Sequence, residues 1–551
     1  MNTGEPADWD VCIVGAGPAG LAVATQLAGT GLRVCVLEIG GTASDPFPHV
    51  RPTVENPYPH ADIDATHSAG IGGTARQWSF ELHAAGDVET SRPPVGCRYL
   101  PMQPLDLLPR PEIGTPGWPI DRAELDHWSE RAHRVCGLGP YRYDAEYWSD
   151  PAAAPLSLDD TVVTSMFQFG PADAFTGDLH RRLVGDGVAF LTGTAALWLE
   201  PSADGRSVAG VRVADRDGTT RTVTARRVIL ATGGLEAVRL LLDTGLRHGR
   251  TPGNHADLLG RYFMEHLLVR GGLVVTDPRQ GWLQRLGLYG TRRVDGTYVS
   301  AKLTLSDEVV AAEGLLATSA LLVPRDAAYG TPGARALFRL RSPSGRRARP
   351  FVRIGDAARL LGDLPGAVRA TLASRAPQPN VDRADWPGAP PNPRYSVFEL
   401  LHQTEQSPDP DHRLSLAPNR DALGRSELEL QWRWSAADRQ RIARARDRYA
   451  QALAAAGVGE TVNTDWDDGL PRMLGGTHHH LGVTRMATDP ERGVVDEHCR
   501  VHHWDNLYVV GGSVFPSGGF VNPTLTVVAL ALRLGAHLRG LPRDAPGSAA
   551  R

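Results

Sequence analysis

A glycine-rich turn near the N-terminus sets the first constraint on this chain. Residues 11–14 form a short apolar run of strand type, and GAGPAG follows at once, with Gly15, Gly17 and Gly20 in GxGxxG spacing. Residues 21–27 continue as an apolar helix, and a second strand, 33–37, ends at Glu38. Each residue type answers a physical need. Gly15 permits the tight turn, Gly17 lets a pyrophosphate approach the backbone, and Gly20 lets helix pack on strand. The helix start offers free N–H groups and positive potential, and Glu38 stands where a carboxylate accepts from a ribose. Strand, loop, helix, strand and acid in this order predict a nucleotide-binding unit, without separating FAD from NAD.

At 551 residues the chain is too long for one small core, so two large domains are expected. Net charge is −4, which gives no support for nucleic acid or anionic lipid as the main partner. The five cysteines form no CxxC pair, which argues against a disulfide framework or zinc site and fits a reducing compartment. The N-terminus has no basic region ahead of its first apolar run, and the apolar stretch 525–532 ends at Arg533, too short for a membrane span. A cytoplasmic protein is expected.

Further along, AGIGGTARQWSF at 69–80 is a second glycine loop, suited to another close backbone approach or to an ordinary surface turn. Asp121 and Glu124 fit a capping box ahead of a helix. The stretch 188–230 alternates like strands around an Asp217-Gly218 hairpin turn. The run 228–234, VILATGG, reads as a buried strand returning to the nucleotide sheet, followed by a helix from Leu235. Residues 326–394 turn rich in Arg, Pro, Gly and Ala; a solvated, partly helical insertion is the favoured reading, a lid or partner surface the other. Strands at 394–403, 413–416 and 428–434 are expected to share an antiparallel sheet. Ser435 and Asp438 then cap a long helix ending near Gly457. In LLHQTEQ the polar tips Gln403, Glu405 and Gln406 either read substrate hydroxyls or mark a solvated strand end.

The last hundred residues carry the chemistry. His478, His479 and His480 stand together in GGTHHHLGVTRM. Read as a strand, His479 points opposite to its neighbours. No helical i, i+4 pair or matching Cys/Asp set accompanies them, so no metal site is expected. In FVNPTL, Asn522 and Pro523 read as an N-cap and N1 pair opening a helix over 523–538, whose positive end suits negative charge on a reduced flavin.

These stretches together resemble the glucose–methanol–choline (GMC) oxidoreductases. The likeness rests on VGAGPAGLAVATQLAGTGLRVCVLE, the stretch from Gly72 to Trp78, VILATGGLEAVRLLL, LLGRYFMEH at 258–266 and the C-terminal block. It is nearest to the branch with HHMGxTRM-like and GGxxNPTLT-like motifs, which includes pyranose oxidases, glycoside dehydrogenases and related sugar or polyol dehydrogenases. The resemblance implies an α/β fold: a Rossmann-like FAD-binding domain with an interleaved α+β substrate domain on an antiparallel sheet. The FAD domain is expected at 8–80, 180–270 and 470–545, and the substrate domain at 81–179 and 271–469 with a lid or insertion at 326–394.

Residue by residue, the resemblance makes His479 the catalytic base and Asn522 its hydrogen-bonding partner. It assigns Gly15, Gly17, Pro18, Ala19, Gly20 and Glu38 to the ADP moiety, and Gly72, Gly73 and Thr74 to the loop beside the isoalloxazine. Ala195, Ala231, Thr232, Gly233, Asp505, Gly512, Ser513, Pro523 and Thr524 complete the expected cofactor contacts, with Asn506 beside Asp505. Gln403, Glu405 and His480 are the expected substrate contacts. Some relatives attach FAD through a histidine where this chain has Gln77, so FAD is expected to be non-covalent. Leu481 and Val483 replace residues often Met and Gly, and the triple histidine leaves one residue of uncertainty between His479 and His480. The implied reaction oxidises a CH–OH group of a sugar, glycoside or polyol by hydride transfer to flavin N5, with oxygen or another electron acceptor. A base near the usual histidine pKa suits it. The alternatives are a non-redox lyase on the same fold, or oxidation of a non-carbohydrate alcohol in a biosynthetic pathway. A monooxygenase is disfavoured because YVVGGSVFP carries Gly-Ser where Gly-Asp is usual. A nucleotide-binding module without catalysis leaves His479 and Asn522 unexplained.

Overall fold

The computed structural model describes residues 8–41, 53–55, 66–77, 95–341, 350–375, 395–462 and 473–542. Trp78 lies outside them.

The predicted nucleotide unit is the middle of a seven-stranded sheet ordered Ala189–Thr192, Val34–Glu38, Trp9–Val14, Thr220–Leu230, Val208–Asp215, Thr194–Pro201, with Leu507–Val509 also paired to Thr220–Leu230. Trp9–Val14 is parallel to both neighbours, Val14 facing Leu37 on one side and Leu230 on the other. Residues 11–14 and Val34–Leu37 are wholly buried, as continuous apolar strands covered on both faces must be. Thr220–Leu230 does two jobs. Up to Thr224 it is antiparallel to Val208–Asp215, and from Ala225 on it is parallel to Trp9–Val14. The Asp217-Gly218 hairpin joins Val208–Asp215 to it, with Gly218 at φ +84°.

The second sheet has nine strands and every pairing in it is antiparallel: Glu460–Val462, Leu267–Val275, Tyr395–Thr404, Thr318–Asp326, Thr297–Leu305, Val162–Pro171, Val95–Tyr99, with Arg292–Val294 and Met473–Gly476 at its margins. One expectation needs correction. Arg413–Arg420 and Ser426–Gln431 do not join this sheet but pair with Thr53–Glu55 in a separate three-stranded one. Their alternating pattern specifies a strand, not a partner. The helix after Ser435 runs Ala436–Ala455, with the Ser435 hydroxyl accepting from Asp438 N.

The insertion after Asp326 contains the helices Pro332–Arg341, Pro350–Gly362 and Leu364–Ala373. It leaves the sheet where Asp326 pairs with Tyr395, while Ser319 and Gln403 pair at the opposite end of the same two strands. Seven strand steps separate the ends, about 23 Å.

Candidate active site

A cavity of about 770 Å³ lies between the two sheets. One wall is the C-terminal edge of the parallel strands, with Val14, Leu37, Glu38 and Ala231. The facing wall is the second sheet, with Leu268, Lys302, Ser319, Leu321, Leu401 and Gln403.

The nucleotide end is made mostly of backbone. Gly15 has φ +103°, and a Cβ there would sit 2.6 Å from Ala231 O. A Cβ on Gly20 would sit 2.0 Å from Gly15 O. Neither position admits a side chain. Gly17, Pro18 and Ala19 line the cavity at the start of the helix Pro18–Leu27. Two more helices, Gly233–His248 and Thr524–Gly540, begin on the same cavity, and no side chain caps any of the three. Their free N–H groups and dipoles converge, which suits a diphosphate. Gly233 at φ +76° has open space where a Cβ would be, and the buried Thr232 hydroxyl has no partner among the described residues. Glu38 is buried. Its Oε2 accepts from Ala16 N, and its Oε1 from Gly40 N and Gly70 N. That leaves one of a carboxylate's four lone-pair positions for a ribose hydroxyl. Burial raises its pKa, opposed by those three amides. These open glycines, orphaned donors and the residual Glu38 acceptor fit a flavin dinucleotide.

The second glycine loop backs the first. Gly73 and Thr74 line the cavity, whereas Gly72 sits behind, its N–H on Ala16 O and its Cβ position against Thr176. Besides Gly20 and Gly72, which pack behind the lining, three expected cofactor residues are placed elsewhere. Ala195 is fully buried away from the cavity, and its strand neighbours Thr194 and Ala196 face it instead, since adjacent strand residues point oppositely. Asp505 turns to Arg206, with its N–H on Arg206 O and its carboxylate 3.6 Å from Arg206 Nε. Ser513 clamps Thr484 through both its hydroxyl and its carbonyl. Val510, Gly511 and Gly512 are the residues of that stretch on the cavity.

At the other end stand His478, His479, His480 and Asn522. The strand alternation expected for the histidines does not hold. Met473–Gly476 ends before them, and His478 adopts φ +65°, so all three line the cavity. His480 Nε2 is held by the Thr66 hydroxyl at 2.9 Å. The helix Thr524–Gly540 starts one residue later than the Asn-Pro pair suggests, with Pro523 at the cap position and Asn522 free of capping. Asn522 Oδ1 accepts a long bond from Gln403 Nε2 at 3.4 Å, which also donates to Phe520 O at 2.8 Å. Gln403 therefore steadies the Asn522 amide and leaves Asn522 Nδ2 to donate.

Hydrogen-bond accounting fixes the tautomer of His479. His266 Nε2 lies 3.2 Å from Gly518 O; a carbonyl only accepts, so Nε2 carries the proton. With His266 neutral, its Nδ1 is an acceptor, and it lies 2.9 Å from His479 Nδ1. Thr477 Oγ1 donates its one proton to Glu265 Oε1 or His266 O, so it too accepts from His479 Nδ1, at 2.6 Å. The His479 proton is therefore on Nδ1, and Nε2 is the basic atom. Glu265 Oε1 accepts from the amides of His266, Thr477 and His479 and pins the assembly. Burial pushes His479 well below the ordinary histidine pKa, helped by the charges of His266, His478, His480 and Lys302. Burial likewise lowers His266 to about 4. The expected base near its usual pKa is thus replaced by one held neutral.

Glu405 is not a substrate contact. It is fully buried in an ion pair with Arg110, and it accepts from Ala317 N and Gly519 N. Its strand ends at Thr404, so Glu405 lies past the last residue facing the cavity. Gln406 is buried too, holding Glu265 N and Trp432 Nε1.

Residues 408–531 match the family described as "GMC oxidoreductase", and residues 10–312, more than half the chain, match "FAD dependent oxidoreductase". The chain is a GMC-family FAD-dependent oxidoreductase. It is similar to "Paromamine 6'-oxidase" of Streptomyces fradiae, 26% identical over 97% of this chain and 91% of that one. It is similar to "6'''-hydroxyparomomycin C oxidase" of Streptomyces lividus, 25% identical over 95% and 90%. It is similar as well to "2-methyl-1,2-propanediol dehydrogenase" of Mycolicibacterium austroafricanum, 22% identical over 96% and 95%. No helix among the described residues is long and apolar enough to cross a membrane.

Several residues of this GMC oxidoreductase escaped the sequence reading. Glu265 and His266 stood in the quoted LLGRYFMEH without a role. Lys302 left a clearer trace: in TYVSAKLTL the even positions 298, 300, 302 and 304 are polar on one face, with a lone charge among them. Arg239 and Arg425 also line the cavity, both engaging Glu236. Burial and the nearby Arg425 lower Arg239 to about 9.

Proposed function

We propose that this GMC oxidoreductase oxidises a CH–OH group of a polyhydroxylated small molecule, a sugar, glycoside or polyol, to the carbonyl. His479 Nε2 takes the hydroxyl proton, and Asn522 Nδ2 holds the hydroxyl oxygen. The observation that carries this reading is the chain of hydrogen bonds from Gly518 O through His266 to His479, which leaves one imidazole lone pair for the cavity. When bound, FAD supplies the acceptor for the substrate's hydride, and the two electrons pass on to oxygen or another acceptor. A neutral base inside a buried wall needs no prior deprotonation at neutral pH. The low histidine pKa makes His479 a weaker base than an exposed histidine; proton transfer concerted with hydride loss suits it.

The cofactor is held non-covalently in this reading: Gln77 occupies the family's attachment position, its amide bonded to Ser68. The strand order supports two interleaved domains, one on each sheet, and five cysteines without a CxxC pair support a cytoplasmic enzyme. The test is His479→Ala, purified with flavin and mixed anaerobically with a panel of sugars, glycosides and polyols. The wild type should bleach with at least one of them. The variant should keep its flavin and lose about 10²–10⁴-fold in reduction rate. Near-normal reduction by the variant would reject His479 as base. Flavin that no alcohol bleaches would favour a lyase.

A further inference from the structure

Lys302 sits in the middle of the strand Thr297–Leu305, 3% exposed, and lines the cavity. Its stem lies in one cross-strand row with the apolar Leu321 and Leu401. Its ammonium lies 5.2 Å from the Phe167 ring centre and 5.3 Å from that of Phe520, two residues before Asn522. It makes no hydrogen bond and no ion pair among the described residues. A buried cation without a counter-charge is rare and costly unless something completes it.

Nothing among the described residues of the cavity wall does so. Among the described lining residues the only carboxylates are Glu38 and Glu236. Glu38 is taken up by three backbone amides, and Glu236 by Arg239 and Arg425. Glu405, behind the wall, belongs to Arg110. Arg98 adds a second positive charge on the same side, over Phe167 and Phe169. The charge on Lys302 reaches both His266 and His479, which places it at the chemical end of the cavity. Burial and Arg98 lower its own pKa to about 7, a shift that an incoming anion would reverse.

We propose that Lys302 is an anion subsite, and that the alcohol oxidised here carries a carboxylate, as a sugar acid or uronoside does. A cationic amino sugar would meet like charge there. The proposal rests on the reading of this cavity as the alcohol-oxidising site, and its test is arranged to be independent of turnover.

The probes are D-gluconate and D-glucitol, two open-chain polyols that differ in a terminal carboxylate. Each is titrated into flavin-loaded His479→Ala enzyme, read by perturbation of the visible flavin spectrum and by Tm shift. D-gluconate should half-saturate at least tenfold below D-glucitol. The preference should vanish in the His479→Ala, Lys302→Met double variant and return in Lys302→Arg. Equal half-saturation by the two probes would overturn the proposal. So would equal weakening of both by Lys302→Met, which would mean that Lys302 serves the cofactor or the fold instead. Bleaching of the wild-type flavin, measured separately, tests alcohol oxidation itself.

Discussion

The two ends of the cavity are built from different materials. The nucleotide end is backbone: glycines with no room for a Cβ, three uncapped helix starts, and a carboxylate held by amides. The histidine end is side chain: His266, His479, Thr477, Glu265, Gln403 and Asn522 brought together from four separate stretches. A backbone site fails abruptly, because one methyl group collides with a main chain that cannot move. A side-chain site degrades in steps, because each partner contributes orientation.

The sharpest way to break that contrast is Gly15→Ala. Strain at φ +103° and the contact with Ala231 O together should cost roughly 2–5 kcal/mol. The purified protein should carry little or no flavin absorbance. Full flavin content would show that the backbone end tolerates side chains after all.

Next in size is His266→Leu, which removes the acceptor on His479 Nδ1. Reduction rate should fall about 10–100-fold with flavin content and KM little changed. His266→Gln, able to accept at one end and donate at the other, should recover part of the loss. A pure loss of stability with unchanged kcat would remove the tautomer argument.

A third difference appears with pH. His266 and His133 are lowered to about 4 and His402 to about 3 in the folded protein, all mainly by burial. Below the unfolded value of 6.5 the unfolded chain binds the extra protons, so stability is present above that pH and is lost progressively as pH falls towards 4. Each such histidine is worth on the order of 3 kcal/mol. Urea midpoints measured from pH 7 to pH 4.5 should fall steadily. A flat profile would mean that these rings are solvated.

The smallest effect separates a true lining residue from a neighbour. Asp505→Ala breaks only a contact with a half-exposed Arg206, so stability should change by less than about 1 kcal/mol and flavin affinity hardly at all. A tenfold loss of flavin affinity would return Asp505 to the cofactor site.

How much of this was legible follows from the same division. Gly15, Gly17, Gly20 and Glu38 lie within one short stretch, and local rules for turns, helix starts and strands locate them. His479 and Asn522 were found through their motifs, yet their surroundings were not. The His266–His479 contact spans 213 residues and Gln403–Asn522 spans 119. Alternation misplaced His479's neighbours because a positive φ at His478 breaks the strand pattern. The resemblance alone misplaced Ala195, whose face depends on register, and the polar tip Glu405 falls one residue beyond its strand and turns to Arg110. Strands at 413–416 and 428–434 were visible, and the structure has them at 413–420 and 426–431, but strand pairing is a long-range choice that sequence pattern leaves open.

The insertion leaves the second sheet at the end opposite Ser319 and Gln403, with about 23 Å of paired strand between. That makes it a natural handle. A tether or affinity tag on the outward face of the helix Leu364–Ala373, where Leu364, Val368 and Leu372 are already exposed, would fix the enzyme to a solid support. The two hydrogen-bonded strands would act as a stiff spacer, so the load on the anchor would be borne away from the histidines.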